Sequence, residues 1–246
     1  MAKYGDMTFQ RTEDLINKMG GLEAVARFLS GELILVERTK QVSPSDGLAN
    51  GGVTYASGLD TAAFLEDWTK FYQDVFGLTA DLSQVPLPPY RPGFHWGVAV
   101  LQGLTKQQAF NKGRELFFSW KYTDQDLDET VPQDKDERTA ANGSYVVWCR
   151  PRVEPDEEHK NKSANDIKAQ GIKSMTLLER LLLGLWFFWK TKRHLDVKNI
   201  TLCAGSRDSG GSVPSMYLDR GGYVRVDWGS PGDASSDLRV REVVSL

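Results

Sequence analysis

The residues best suited to covalent chemistry in this chain are Asp208-Ser209-Gly210-Gly211, two cysteines and three histidines. A serine beside an acid and two glycines becomes a nucleophile when a histidine base meets its hydroxyl and backbone amides form an oxyanion hole. His95 sits in Gly93-Phe94-His95-Trp96, His159 in a charged segment and His194 just after a helix pattern. None has the surroundings of a triad base, so the stretch reads as a Gly-rich turn between strands. Cys149 and Cys203 lie in apolar strand patterns, which suit inert buried thiols better than thiolate nucleophiles. Their lack of near Cys or His partners argues against zinc. A hydrolase using Ser209, Cys149 or Cys203 stands as the alternative function. Asp124, Asp126, Asp128 and Glu129 lack the spacing and central glycine of a calcium loop and read as a solvated loop. Phosphate-cradling, dinucleotide-binding and metalloprotease motifs are absent. No cofactor and no metal are expected.

A second chemistry is recognition. Between Val213 and Trp228 the chain alternates with period two, and its turns are rich in glycine. In a strand meander Met216, Leu218, Val224, Val226 and Trp228 share one face, and Ser215, Tyr217, Asp219, Tyr223, Arg225 and Asp227 the other. The first set is core. The second combines tyrosine, which supplies rigid contact area, with serine, glycine and aspartate, which supply adaptable hydrogen bonds.

With 246 residues, 40% hydrophobic and 26% charged, the chain can bury a sizeable core. A net charge of −3 gives no general attraction to nucleic acid or anionic membrane. The N-terminus shows no apolar signal-peptide core. The run from Leu181 to Trp189 is much shorter than the roughly 20 residues of a membrane span. The expectation is a soluble protein with no membrane span.

The elements that must position these residues follow from caps and periodicity. Thr12 and Glu23 open two short helices about Gly20-Gly21, Leu33 to Val36 reads as a strand, and residues 41–58 form a turn-rich connector. Asp60 caps a helix whose apolar face is Phe64, Trp68, Phe71, Tyr72 and Val75. The Pro-rich segment 85–92 reads as a linker. It divides a mainly helical module, 1–84, from a domain over 93–246. In that domain a strand is expected from Val98, and a capping box at Thr105 and Gln108 starts a helix. A strand follows over 117–122, another over 144–150, and a helix capped by Ser163. A second capping box, Thr176 with Glu179, opens a helix apolar on nearly every side. A strand over 199–204 leads into the tail. Helices mid-chain with an antiparallel meander at the end indicate an α+β fold.

This order, a strand, two helices and a C-terminal sheet of irregular polar strands, resembles the C-type lectin fold. More narrowly, it looks like the variable proteins of diversity-generating retroelements. In those, a C-terminal cassette is mutagenised at adenine-rich codons on a fixed lectin-like frame. The tail fits in position and composition: Asp208, Gly210, Ser212, Ser215, Tyr217, Asp219, Tyr223, Arg225, Asp227, Gly229, Asp233, Ser235 and Ser236 alternate with framework residues. Leu238-Arg239-Val240-Arg241 resembles the framework end of such cassettes. Segments such as Trp120-Lys121-Tyr122 and Leu202-Cys203-Ala204-Gly205 are similar to those of uncharacterised proteins from uncultured small-genome microbes. The paired disulfides and the Glu-Pro-Asn sugar motif of animal C-type lectins are absent.

The resemblance implies a ligand-binding and display protein, not an enzyme. Its variable tail, 206–241, would carry the thirteen residues just named. Its partner would be a macromolecule, a protein or another surface, with the N-terminal module serving tethering or homo-oligomer assembly. The lectin-like fold also hosts formylglycine-generating oxidases, the fold-level form of the enzymatic alternative.

Overall fold

The computed structural model of the protein describes residues 60–246, which lie within a compact unit running from Ser43 to Leu246. The elements expected before Asp60 fall outside the described residues. Helix α1 (Thr61–Phe71) begins at Asp60, whose carboxylate accepts from the Ala63 amide. It continues through a wider π turn, Tyr72–Phe76, to Gly77 at φ 68°. Its aromatic stripe is core: Phe64, Trp68, Phe71 and Tyr72 are fully buried. The Trp68 indole N–H donates to the Gly97 carbonyl and the Tyr72 hydroxyl to that of Ala99. Large rings thus contribute area and satisfy their own polar tips.

Both carbonyls belong to β1 (Trp96–Val100), which pairs antiparallel with β3 (Tyr145–Cys149). β1 begins at Trp96 rather than Val98, because Trp96 pairs with Cys149 and its ring packs on Trp186 and Phe187. Gly97 is where helix and strand approach most closely: a Cβ there would sit 2.3 Å from the rings of Phe64 and Trp148. The small sheet is completed by β8 (Val243–Val244), in the order β1-β3-β8.

Two short helices follow the caps read from sequence, α2 (Lys106–Leu116) and α4 (Ala164–Ala169), and a third, α3 (Leu127–Thr130), forms within the acidic stretch read as a loop. The acidic stretch has local structural duties. Asp126 caps α3, and Asp128 accepts from the Lys106 and Gln107 amides at the positive end of α2. Helix α5 (Leu177–Thr191) is apolar on almost all sides because it lies against β1 of the small sheet and β5 (Val213–Leu218) of a larger one.

The large sheet has the order β2-β6-β5-β4-β7, with β2 at Ser119–Lys121, β4 at Ile200–Leu202, β5 at Val213–Leu218, β6 at Val224–Gly229 and β7 at Leu238–Arg239. β4, β5 and β6 are antiparallel, while β2 and β7 join the edges in parallel. The fold is α+β. No helix among the described residues is long and apolar enough to cross a membrane.

The segment 85–92 is fastened to the body rather than a spacer. Trp148 donates its indole N–H to the Pro88 carbonyl, Arg91 pairs with Glu242, and Val85 and Leu87 pack on the core. The Pro-rich segment and helix α1 lie in the same compact unit as the residues that follow them. Helix α1 supplies part of its central aromatic cluster, with the Trp68 and Trp186 rings stacked 6.0 Å apart.

Candidate functional site

The alternation in the tail forms a hairpin in which Met216 faces Val226 and Leu218 faces Val224. Met216 and Val226 are buried in the core. On the opposite side Tyr217 pairs with Arg225 and Ser215 with Asp227. The turn is held by Asp219, whose carboxylate accepts from the Gly221 and Tyr223 amides and from Arg225 Nε at 2.6 Å. Those bonds, the Tyr223 amide first, hold the Asp219 carboxyl below its ordinary pKa.

β2 extends this outer side by three aromatic residues. Trp120 pairs with Arg225 in the parallel register, so Phe118 and Tyr122 run beside Tyr223 and Asp227. The Arg225 guanidinium lies 4.3 Å from the centre of the Trp120 ring and 5.7 Å from that of Tyr223. Phe118 packs on Tyr223 and Trp120 on Tyr122, with centroids 5.5 and 5.7 Å apart. These rings remain open to solvent: Phe118 is 71% exposed and Tyr122 69%. Beside Phe118 and Tyr223 a groove of about 600 Å³ opens, walled also by Arg114, Leu116 and His194.

The thirteen tail residues do not form one surface. Tyr217, Asp219, Tyr223, Arg225 and Asp227 join the aromatic strip. Asp208, Gly210 and Ser212 occupy the turn before β5, and Gly229, Asp233, Ser235 and Ser236 the end of β6 and the loop after it. Asp208, Gly210, Ser212 and Gly229 lie at the far end of the hairpin strands, about 20 Å from Tyr223 along β6. Ser235 and Ser236 instead precede β7, which pairs through Leu238 with Ile200 and lies three strands across from β6. Ser215 is buried, at 8% exposure. It flanks a second small core in which Val213 and Leu202 pack on Ala164 and Ile167 of α4. The chain's own helix thus packs on the Val213 end of the outer face. Phe118, Trp120 and Tyr122 were absent from the sequence reading of the site, although their spacing of two within an expected strand was visible.

Several of the covalent candidates are tied into the surrounding structure. Asp208 closes a tight turn, accepting from the Gly211 and Ser212 amides, with Gly211 at φ 90°. Each histidine ring is engaged elsewhere: His95 on Tyr90, His159 with Glu242, and His194 between Phe117 and Phe188. Cys149 and Cys203 are free and buried. Burial pushes the Cys149 thiol up to about 12 and that of Cys203 higher still.

One cluster that sequence reasoning missed has metal-ligand residue types: donor atoms of Asp156, His159 and Glu242 lie within 4.8 Å of one another. Arg150 occupies it, donating to Asp156 Oδ2 at 2.7 Å and to Glu242 Oε2 at 2.8 Å. Burial raises the Asp156 pKa. At Glu242 burial also pushes upward, but hydrogen bonds from Arg150, Arg91 and His159 outweigh it and leave the carboxyl below its ordinary range. A cation entering here has to displace a bidentate guanidinium, so the cluster reads as an ion-pair network.

Comparisons with protein-family models, curated proteins and solved structures give no match. The candidate site is therefore the aromatic strip on β2, β6 and β5, taken on its geometry.

Proposed function

We propose that this chain is a recognition protein that binds a macromolecular surface, most simply a protein, through the strip formed by Phe118, Trp120, Tyr122, Tyr217, Tyr223 and Arg225. The observation that carries this reading is the exposure of four large rings on one side of one sheet around a guanidinium already held in place. Aromatic residues and arginine dominate the energetics of protein interfaces, and contiguous exposed apolar surface on a soluble domain marks an interaction site. Faces of this kind bind with dissociation constants of about 10⁻⁷ to 10⁻¹⁰ M.

We propose further that the frame is C-type-lectin-like and that its tail, 206–241, is diversified by a retroelement. Support comes from the position and composition of the tail and from the division of labour in the hairpin. Met216 and Val226 make the core while Tyr217, Tyr223 and Arg225 face outward. Outer residues then change without loss of fold, because the inner set alone is needed for packing.

The test is a library of the full chain randomised at Trp120, Tyr217, Tyr223 and Arg225. Most members should melt cooperatively within a few degrees of the parent, and binders to chosen proteins should be selectable from it. A library that is mostly unfolded sinks the recognition reading. The retroelement reading is checked separately on the coding DNA. A neighbouring reverse transcriptase and a near-repeat of 206–241 differing at adenines are expected, and their absence overturns diversification alone.

A further inference from the structure

Arg180 on α5 is 2% exposed, yet only one edge of its guanidinium is used. Nε and Nη2 both donate to Asp196 Oδ2, at 2.9 and 2.7 Å. Nη1, on the other edge, is buried without a hydrogen-bond partner. Buried polar groups in folded proteins are nearly always partnered, so an orphaned N–H points to an ion or water that belongs beside it.

Local charge points to an ion. Asp196, with no exposure, is shared between Arg180 and Arg241, which is itself 1% exposed. Two buried guanidinium charges thus face one carboxylate, and the Thr201 hydroxyl at that carboxylate adds a further donor. An incompletely compensated buried charge is strongly unfavourable.

The space is present. Nη1 lies over Gly184 one turn along the helix, where a Cβ would come within 2.8 Å of it. Arg180 and Gly184 line a cavity of about 20 Å³ whose other walls include Phe110, Leu181, Leu185 and Val226. That volume holds one water or one ion of similar size. A water also brings two hydrogens and needs two to four polar partners, while the polar side chains here besides Arg180 are Ser119 and His194. Both are able to donate or to accept, so what favours an anion here is the positive charge of Arg180 with its unpartnered Nη1.

We propose that this cavity is a binding site for a single small monovalent anion of halide size, held by Arg180 Nη1 with His194 and Ser119 nearby. Sulfate and phosphate exceed the volume. Entry is from the groove beside Phe118 and Tyr223, because Phe117, Ser119 and His194 line both spaces. The ion would complete the support under β6, whose Val224 and Val226 line the cavity while Arg225 faces the opposite side.

The experiment uses the full chain at constant ionic strength, with gluconate replaced stepwise by chloride or bromide. The melting temperature should rise by about 3–5 °C once the halide exceeds its dissociation constant about tenfold. Chloride NMR should show excess line width that bromide displaces. Gly184→Ala keeps every charge but fills the space, so it should fold and lose both responses; Arg180→Met should lose them too. If Arg180→Met does not fold, the wild type and Gly184→Ala decide. A wild type that melts alike in gluconate and chloride, without excess line width, holds water only and overturns the proposal. A Gly184→Ala variant that responds as the wild type does overturns the location.

Discussion

The Arg225 guanidinium lies 4.3 Å from the centre of the Trp120 ring, and the two residues are register partners across the parallel β2–β6 pair. Asp219 fixes the other side of that guanidinium through Nε. The plane is therefore set before any ligand arrives, and a preorganised side chain loses little entropy on binding. Arg225→Lys keeps the charge but cannot stack or hold the same fork. Binding to any selected partner should weaken by about tenfold or more, while the melting temperature moves by less than about 2 °C. Calorimetric titration beside a thermal melt checks both, and a large loss of stability would show that the strip is structural.

Gly97 is the tightest point of the core. Its missing side chain leaves room for the rings of Phe64 and Trp148, which an added Cβ would meet at 2.3 Å. Gly97→Ala should cost at least the 1–3 kcal/mol, roughly, of ordinary overpacking, read by urea denaturation. A near-neutral result would mean that α1 moves freely on β1.

Glu179 is fully buried and accepts four hydrogen bonds from three groups: Arg138, at 2.8 Å from Oε1 and 3.0 Å from Oε2, the Tyr145 hydroxyl, and the Thr176 amide as part of the capping box. Glu179→Ala strands Arg138, itself only 12% exposed. Loss of one partner of a buried pair typically costs about 3–5 kcal/mol. The same denaturation series measures it. Changing both Glu179 and Arg138 should cost less than the sum of the single losses.

Burial and then the positive charge of Arg180 lower the His194 pKa from its ordinary 6.5. Below pH 6.5 the unfolded chain takes up a proton that the folded chain resists. Stability should therefore fall as pH drops from 6.5 toward the lower folded value and be unaffected above 6.5. His194→Gln removes this slope. The difference in melting temperature between the two proteins should be flat at high pH and narrow on acidification. A constant difference down to pH 5 (about one unit above an ordinary carboxylate) would sink the assignment.

Much of this architecture was legible because its signals are local. The capping boxes at Thr105 and Thr176 satisfy amides within one turn. The stripe from Phe64 to Tyr72 repeats at helical spacing, and the alternation from Val213 to Trp228 fixes which side of the hairpin is core. Local hydrogen bonds and periodicity belong to the chain itself, so the sequence by itself determined the α+β character, most elements and the inner face of the tail. What the tertiary structure decided depends on partners distant in sequence. Trp120 meets Arg225 only through strand pairing, α4 packs on Val213 and Leu202, and the Pro88 carbonyl is claimed by Trp148. Arg180 and Arg241 share Asp196 although the chain between them forms most of a sheet. No spacing rule connects such residues. The packing of two sheets around α5 brings them together, and the aromatic strip, the cavity beside Arg180 and the bound Pro-rich segment follow from that packing.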